Sequence, residues 1–217
     1  MQPANKIIFR KYQPRDRLGL RQIVYDTAFM GEPAGKFFDG QEVITDALSL
    51  YFTDYEPEAS FVAELDGQIL AYLIGTKDKP AAERTFNRKI ALPLLFKGLK
   101  QGVLLRPKNL LFFIRCLKDA LVNGIRTPDV TPKYPATFHL NVKSGFRGLK
   151  IGPQLIKLFL EYLGAAQIKG VHLATLSDQA AGFFLNQGFT RLYQGKRSYF
   201  RNILHRDVPL YILGRRL

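Results

Sequence analysis

Apolar residues recur along this chain with two spacings, one typical of strands and the other of helices. In the first third of the chain these spacings predict strands at 7–12, 60–65 and 68–76 and helices at 16–29 and 41–55. Asp66-Gly67 separates the last two strands and favours a tight hairpin turn. Asp16 is the predicted N-cap of the first helix. The chain therefore begins with a strand and two helices and continues into a hairpin.

A different pattern follows the hairpin, because the next stretch contains no predicted strand. Apolar residues keep a helical spacing there, which Pro93 and Arg106-Pro107 interrupt, and two or three helices are predicted. We expect one domain over residues 1–217 that carries these helices as an insertion at about 80–132.

The last third of the chain returns to an alternation of strands and helices. Its predicted strands lie at 138–142, 171–175, 190–193 and 208–213. A helical run that includes Leu155 and Phe159 separates the first two of these strands. Strand and helix patterns that alternate in this way indicate a mixed α/β fold.

The most informative stretch is the loop between the strand at 138–142 and the helix after it. Gly145, Gly148 and Gly152 allow the backbone to turn tightly and to approach a ligand closely. The N-terminus of the following helix presents free N–H groups and the positive end of the helix dipole, so the loop suits a phosphate group. An ordinary turn between a strand and a helix stays open as the alternative.

Two well-known phosphate-binding motifs do not fit this loop. A nucleotide P-loop requires Lys and then Ser or Thr directly after the last glycine, whereas Pro153 and Gln154 follow here. The dinucleotide fingerprint belongs near the first strand of its unit, whereas this loop lies two-thirds of the way along the chain.

The loop resembles the pyrophosphate loop of the GNAT superfamily of N-acetyltransferases, whose pattern is Arg/Gln-x-x-Gly-x-Gly/Ala. Arg147, Ile151 and Gly152 match this pattern, and Lys150 stands where the middle glycine usually lies. Lysine still offers its backbone N–H and adds a positive charge.

A second stretch resembles the motif Asn-x-x-Ala-x-x-Phe-Tyr-x-x-x-Gly-Phe, with which the same family closes its cofactor site. Four residues match at the expected spacing: Ala180, Phe183, Gly188 and Phe189. Ser177 replaces the usual Asn, and Phe184 replaces the usual Tyr. Two linked motifs are more specific than either alone, and together they extend the resemblance over about residues 136–200.

This resemblance implies a GNAT-like fold, which is a mixed, mostly antiparallel sheet flanked by helices. The sheet is expected to splay between the strand that ends at Val142 and the strand that starts at Val171. Acetyl-CoA or another acyl-CoA is the implied co-substrate, and no metal is expected. The implied cofactor-binding residues are Leu140, Val142, Arg147, Gly148, Leu149, Lys150, Ile151, Gly152, Ser177, Phe183 and Phe184.

Acyl transfer to an amine also requires a group that removes a proton. Alternation along the strand places His139 and Asn141 on one face, and histidine titrates near neutrality. A structural role for His139 stays open. Phe184 cannot donate a proton to the leaving thiolate, so Tyr193 and Tyr199 are candidate acids. Tyr193 also suits a packed strand residue, and Tyr199 also suits an aromatic residue in a surface loop.

The charge of the chain is large and is concentrated in one region. The formal net charge is +14. Residues 84–133 contain eleven lysines and arginines but only two aspartates. Such a surplus favours anionic partners. Lys97, Lys100, Arg106 and Lys108 are the cations of this region that would contact such a partner.

Two interpretations of this basic insertion stay open. Its helices could present an ordinary solvated face, or they could recruit an anionic substrate or a membrane surface. A nucleic-acid partner is not expected, because no nucleic-acid-binding motif accompanies the charge. A homodimer also stays open.

A cytoplasmic location is expected. Cys116 is the only cysteine, which points to a reducing compartment. The first residues, 1–6, lack the apolar run of a signal peptide, and no run of 18 apolar residues exists that could cross a bilayer.

Taken with the resemblance, these observations predict an enzyme that moves an acyl group, acetyl in the first instance, from acyl-CoA to a primary amine. A small molecule or a peptide could supply that amine. The alternative is a protein of the same fold that binds acyl-CoA or an anionic partner without turnover.

Overall fold

The computed structural model describes residues 6–217 and contains one seven-stranded sheet. The strands are β1 (Ile8–Lys11), β2 (Ser60–Leu65), β3 (Gln68–Thr76), β4 (Ala136–Val142), β5 (Gly170–Thr175), β6 (Thr190–Arg197) and β7 (Val208–Arg216). The helices are α1 (Arg17–Thr27), α2 (Gln41–Asp54), α3 (Lys79–Thr85), α4 (Ala91–Lys100), α5 (Pro107–Asp119), α6 (Ile151–Ala165), α7 (Asp178–Asn186) and α8 (Arg201–Leu204). Most of the segment on which the signal-peptide expectation rests, residues 1–5, lies outside this description. Within residues 6–217, none of the helices is both long enough and apolar enough to cross a bilayer.

The strands lie in the order β1-β2-β3-β4-β5-β7-β6. Every neighbouring pair is antiparallel except β4 and β5, which are parallel. These two strands share only two residue pairs, Ala136 with Val171 and Thr137 with His172. The predicted mixed, mostly antiparallel sheet that splays at this point is therefore confirmed.

The hairpin of β2 and β3 confirms the clearest local prediction. Asp66 and Gly67 form its turn with φ angles of 49° and 79°. Positive φ at both central residues is what a tight hairpin turn with the right-handed twist of a sheet requires. Both strands have the bounds that the sequence predicts.

The two faces of the sheet carry separate apolar cores. On one face, α6 contributes Leu155 and Phe159 to a cluster that also contains Phe138 of β4. On the other face, α1 packs Leu20 against Tyr72 of β3. The alternation of side chains along β4 therefore places Phe138 under α6 and His139 on the side of α1 and α2.

The insertion between β3 and β4 forms α3, α4 and α5, with two wider π-helical turns at Phe86–Ile90 and Ala120–Gly124. The prediction that Pro93 interrupts a helix is wrong. Helical backbone continues from α3 through the first π-helical turn into α4, and Pro93 lies within α4. The π-helical turn directly before Pro93 changes the hydrogen-bonding pattern there, so the proline does not end the helix. Pro107, in contrast, is the first residue of α5, so the break predicted there is correct.

Two further details differ from the sequence prediction. The side chain of Asp16 does not cap α1 but accepts hydrogen bonds from Arg10 and from the backbone N–H of Gln13. The last two predicted strands, at 190–193 and 208–213, lie closer along the chain than predicted, because β6 continues to Arg197, and a short helix, α8, lies between them.

Candidate active site

A wedge-shaped gap between β4 and β5 is the central feature of the candidate site. Beyond Thr137 the two strands separate, whereas β3 stays paired with β4 as far as Val142. Within residues 6–217, the edge of β4 that faces the gap therefore has no strand partner after Thr137. Its backbone N–H and C=O groups are available to an extended ligand, because an unpaired strand edge is a ready template for hydrogen bonding.

The predicted phosphate loop lies between the end of β4 and the start of α6. Gly145 and Gly148 have φ angles of 89° and 85°, and a Cβ atom at either position would meet nothing within 4 Å. Open space therefore lies beside the loop. No side chain caps α6, so its first N–H groups, which have no partner inside the helix, are available to a ligand.

Lys150 stands at the N-cap of α6 in the left-handed conformation, with φ 57° and ψ 21°. A non-glycine residue in this conformation is strained. This conformation turns the chain sharply between the exposed Leu149 and the start of α6 at Ile151. Glycine would adopt this conformation without strain, which explains why the family pattern carries glycine at the equivalent place.

Gly152 is required for a different reason, which is close packing. A Cβ atom at this position would lie 2.9 Å from Cζ of Phe183 and 3.5 Å from Cδ2 of Leu140. The first turn of α6 therefore approaches both β4 and α7 closely. This contact joins the two sequence motifs and fixes the loop at the mouth of the gap.

His139 faces the side of the sheet that α1 and α2 cover. Its ring makes an edge contact with Phe52 of α2, with ring centroids 5.6 Å apart. His139 is an exposed residue, although the protein atoms around its imidazole desolvate the ring. Desolvation lowers the pKa of His139 below its ordinary value, so the imidazole is neutral near pH 7 and can accept a proton.

Asn141 lies on the same face, two residues further along β4. Its Nδ2 donates a hydrogen bond of 2.7 Å to Oη of Tyr72 on the paired strand β3. Burial raises the pKa of Tyr72 to about 12, so this phenol stays protonated. The pair fixes the amide of Asn141 rather than leaving it free, which suits a residue that orients a substrate.

Arg147 is exposed, and its Nη2 donates a hydrogen bond of 3.0 Å to the carbonyl oxygen of Gly31 in the loop between α1 and α2. The phosphate loop therefore touches the loop that borders the His139 face. An anion bound by Arg147 would share this guanidinium with Gly31, so the two loops are coupled.

Ser177 and Phe184 of the second motif stabilise the structure beside the gap. Ser177 caps α7, and its hydroxyl accepts a hydrogen bond of 3.3 Å from the N–H of Ala180. Phe184 is only 7% exposed and packs with ring centroids 5.8 Å from both Phe138 and Phe189. The half-buried Leu140 and Val142 pack against the same apolar core.

The structure does not bring Tyr193 close to His139. Tyr193 lies on β6, three strand positions from β4, which corresponds to roughly 14 Å at the usual spacing of strands. Its ring folds back against the backbone of Gly195. His139 and Asn141 therefore lie on one face of one strand, and Tyr193 lies away from them.

Sequence reasoning missed three contributors to this site, namely Tyr72, Phe52 and Gly31. Tyr72 could have been found, because it stands in a predicted strand with a polar atom that needs a partner when buried. The contacts of Phe52 and Gly31 depend on how α2 and the loop before it pack, and no sequence signal reports that.

Possible metal ligands and the cysteine thiol are further groups that can take part in catalysis. Within residues 6–217, no group of three or more His, Cys, Asp or Glu side chains is placed to hold a metal ion. Cys116 is half-buried on α5, and burial raises the pKa of its thiol to about 11, so it is protonated near neutral pH.

Comparison with solved structures shows the same fold in other proteins. The crystal structure of SsHAT covers 97% of this chain and 98% of its own, with a TM-score of 0.73 and 24% identity. A polyamine N-acetyltransferase from Drosophila melanogaster, which forms N-acetylagmatine, covers 98% and 100%, with a TM-score of 0.57 and 14% identity. A ribosomal-protein-alanine N-acetyltransferase from Brucella melitensis covers 97% and 99%, with a TM-score of 0.55 and 16% identity.

A comparison with curated proteins found no match. A comparison with protein families found one that fits the geometry described above. The model of the Acetyltransferase (GNAT) family matches residues 32–189, a range that includes the β4–β5 gap, the glycine loop and both sequence motifs. This chain therefore belongs to the GNAT family of acetyltransferases.

Proposed function

We propose that this protein transfers an acetyl group from acetyl-CoA to a primary amine. The observation that carries the proposal is the gap between β4 and β5, with the glycine loop and the free N-terminus of α6 at its mouth. The pantetheine arm would lie along the open edge of β4, and its pyrophosphate would receive N–H groups and the charge of Arg147 and Lys150. One end of the gap is therefore suited to anionic phosphate and the other to an extended, amide-bearing chain.

The reaction needs a neutral amine that attacks the carbonyl carbon of the thioester. As the C–N bond forms, a proton leaves the nitrogen, and the neutral imidazole of His139 can accept it. Backbone N–H groups on the open edge of β4 would stabilise the negative oxygen of the tetrahedral intermediate. The C–S bond then breaks. A thiol has a pKa near 8.5, so coenzyme A can leave as a thiolate without an acid at Phe184.

The acceptor would approach from the face that α1 and α2 cover, where His139 and Asn141 lie. Agmatine is a reasonable first candidate, because a structural neighbour forms N-acetylagmatine. A peptide with N-terminal alanine is a second, because another neighbour is a ribosomal-protein-alanine N-acetyltransferase. Both present the primary amine that the mechanism requires.

The test is a transfer assay with acetyl-CoA and a panel of amines that contains agmatine, other polyamines and peptides with N-terminal alanine. Release of the free thiol of coenzyme A and the mass of the product are measured together. We expect an acetylated product with at least one acceptor. Matched reactions without acceptor measure hydrolysis, and a panel in which no acceptor raises thiol release above that level would contradict the proposal.

A second function has one observation in its favour. Phe184, which replaces the usual Tyr of the family motif, lies in the apolar core and cannot donate a proton. A protein that binds acyl-CoA without turnover would need no acid. Acetyl-CoA that binds tightly in calorimetry but acetylates no member of the panel would support this second function over the first.

A further inference from the structure

The helix α5 and the π-helical turn after it carry an apolar stripe that faces solvent. Its members recur every three or four residues: Leu110, Ile114, Leu117, Leu121 and Ile125. They are 44%, 62%, 64%, 64% and 81% exposed. The opposite side of the same helix holds the fully buried Asn109 and the half-buried Phe112, which packs on Phe37. The stripe is therefore a second apolar face that the core does not use.

Helix α4 repeats this arrangement. Its outward residues are Leu92, Leu95, Phe96 and Leu99, which are 42–62% exposed. Its inward positions include Leu94, which packs on an apolar core cluster, and the buried Gly98. Monomeric soluble proteins rarely expose so many large apolar side chains in one segment, and such surfaces mark interaction sites.

Some cations of the insertion form ion pairs with carboxylates and others do not. Lys97 is paired with Glu42 and Asp46, and Lys108 is paired with Asp39. Lys100, Lys118 and Arg126 are exposed. Among the ion pairs of residues 6–217, these three take no part. These three cations therefore lie on the same two helical segments as the exposed apolar stripes or just beyond them.

We propose that the outer faces of α4 and α5 dock this protein on an anionic phospholipid membrane. Apolar side chains flanked by free lysine and arginine are the composition of a helix that lies in the interface of a bilayer. The apolar stripes would enter the boundary between headgroups and acyl chains, and the cations would contact lipid phosphates. No helix needs to cross the bilayer for this mode of binding.

Charge favours a lipid surface over a second copy of this chain. Residues 84–133 carry eleven lysines and arginines, and their only two acidic residues are Asp119, which is buried, and Asp129. Two copies packed through these stripes would therefore place like charges at the rim of the interface, which is unfavourable. An anionic bilayer presents the opposite charge over the whole area.

The first test is co-sedimentation of the full chain with vesicles. We expect binding to vesicles that contain phosphatidylglycerol and little or none to vesicles of phosphatidylcholine alone. Binding should weaken as salt is raised from about 0.1 M to about 1 M, because the Debye length falls from about 10 Å to about 3 Å. Equal sedimentation with both kinds of vesicle, or with neither, would overturn the proposal.

Matched variants locate the surface. Lys100→Gln, Lys118→Gln and Arg126→Gln together should weaken binding by at least about tenfold. The control variant replaces three exposed cations elsewhere, with Lys157→Gln, Lys169→Gln and Arg206→Gln. Its net charge equals that of the first triple variant. If the two triple variants lose binding equally, the attraction is a property of net charge and the proposed surface is wrong.

A fluorescent reporter tests the apolar stripe without relying on a loss of binding. The chain contains no tryptophan, so Leu117→Trp gives a single signal from the outer face of α5. Anionic vesicles should shift its emission to the blue, and brominated lipids should quench it. Leu18→Trp, at a residue 81% exposed on α1, is the control and should not respond. An unresponsive Leu117→Trp, or self-association in solution that hides this residue without lipid, would overturn the proposal.

Discussion

At the scale of single residues, His139 owes its proposed reactivity to its surroundings rather than to its type. The three histidines of the chain illustrate this. His172 is buried, and its Nδ1 lies 2.6 Å from the carbonyl oxygen of Tyr134, which is a structural contact. His205 is exposed beyond α8. Only His139 combines a lowered pKa, an exposed position and a place beside the gap.

His139 should control the pH dependence of acetyl transfer. Desolvation lowers the pKa of His139 below its ordinary value of 6.5. The imidazole is therefore in its base form above this lowered pKa, and it becomes protonated as the pH falls through the lowered pKa. The parent kcat/KM should therefore rise with pH and then level off. His139→Gln should lower kcat about a hundredfold or more and should remove this inflection.

The control for His139 is His205→Asn, because asparagine tolerates the positive φ of 55° at that position. It should leave the profile unchanged. A His139→Gln variant with an unchanged profile and rate would make His139 a structural residue.

Lys150 permits a prediction about stability. A β-branched residue in the left-handed conformation is more strained than lysine, so Lys150→Val should lower the free energy of unfolding by about 1–3 kcal/mol. Lys150→Gly relieves the strain and should not lower it. Urea denaturation measures both changes. Equal stability of the valine and glycine variants would show that this conformation is not imposed on the loop.

At the scale of elements, the insertion is attached to the segment before α2 by a few specific contacts. Asn109 is fully buried and makes three hydrogen bonds. It accepts from the N–H of Asp39 and donates to the carbonyl oxygens of Asp39 and Val103. These bonds join the start of α5 to the chain before α2 and so hold the outer stripe of α5 away from the core.

The attachment predicts an asymmetry between two asparagines. Asn109→Ala leaves the N–H of Asp39 without its acceptor, and should lower the free energy of unfolding by about 1–3 kcal/mol. Asn202→Ala, at an exposed position on α8, should change it by less than about 0.5 kcal/mol. Thermal or urea unfolding compares the two, and similar losses would mean that Asn109 does not anchor α5.

The same element shows where the sequence interpretation was incomplete. Lys97 and Lys108, together with Lys100 and Arg106, were expected to contact an anionic partner. Lys97 instead hydrogen-bonds Asp46, a contact that raises the pKa of the lysine, and Lys108 binds Asp39. Charge counts report an excess of cations but not which of them find partners, because the partners lie more than 50 residues away in the chain.

At the scale of the whole molecule, local signals and family motifs predicted most of the fold. Asp66-Gly67 located a hairpin, and the glycine loop located the junction of β4 and α6. The arrangement on the His139 face was not predictable, because it depends on how Phe52 and Tyr72 meet β4 across long separations. The sequence shows only that Lys150 replaces a glycine of the family motif, whereas the structure shows that the backbone of Lys150 is left-handed.

We infer that the loop at the mouth of the β4–β5 gap binds acetyl-CoA. Isothermal titration of acetyl-CoA into the parent and into Gly148→Asp tests it most directly, because aspartate adds bulk and negative charge at an open position. The control is Gly102→Asp, which also has positive φ and open space but lies in the insertion. We predict that Gly148→Asp abolishes binding and that Gly102→Asp binds like the parent. Undiminished binding by a folded Gly148→Asp protein would contradict the account.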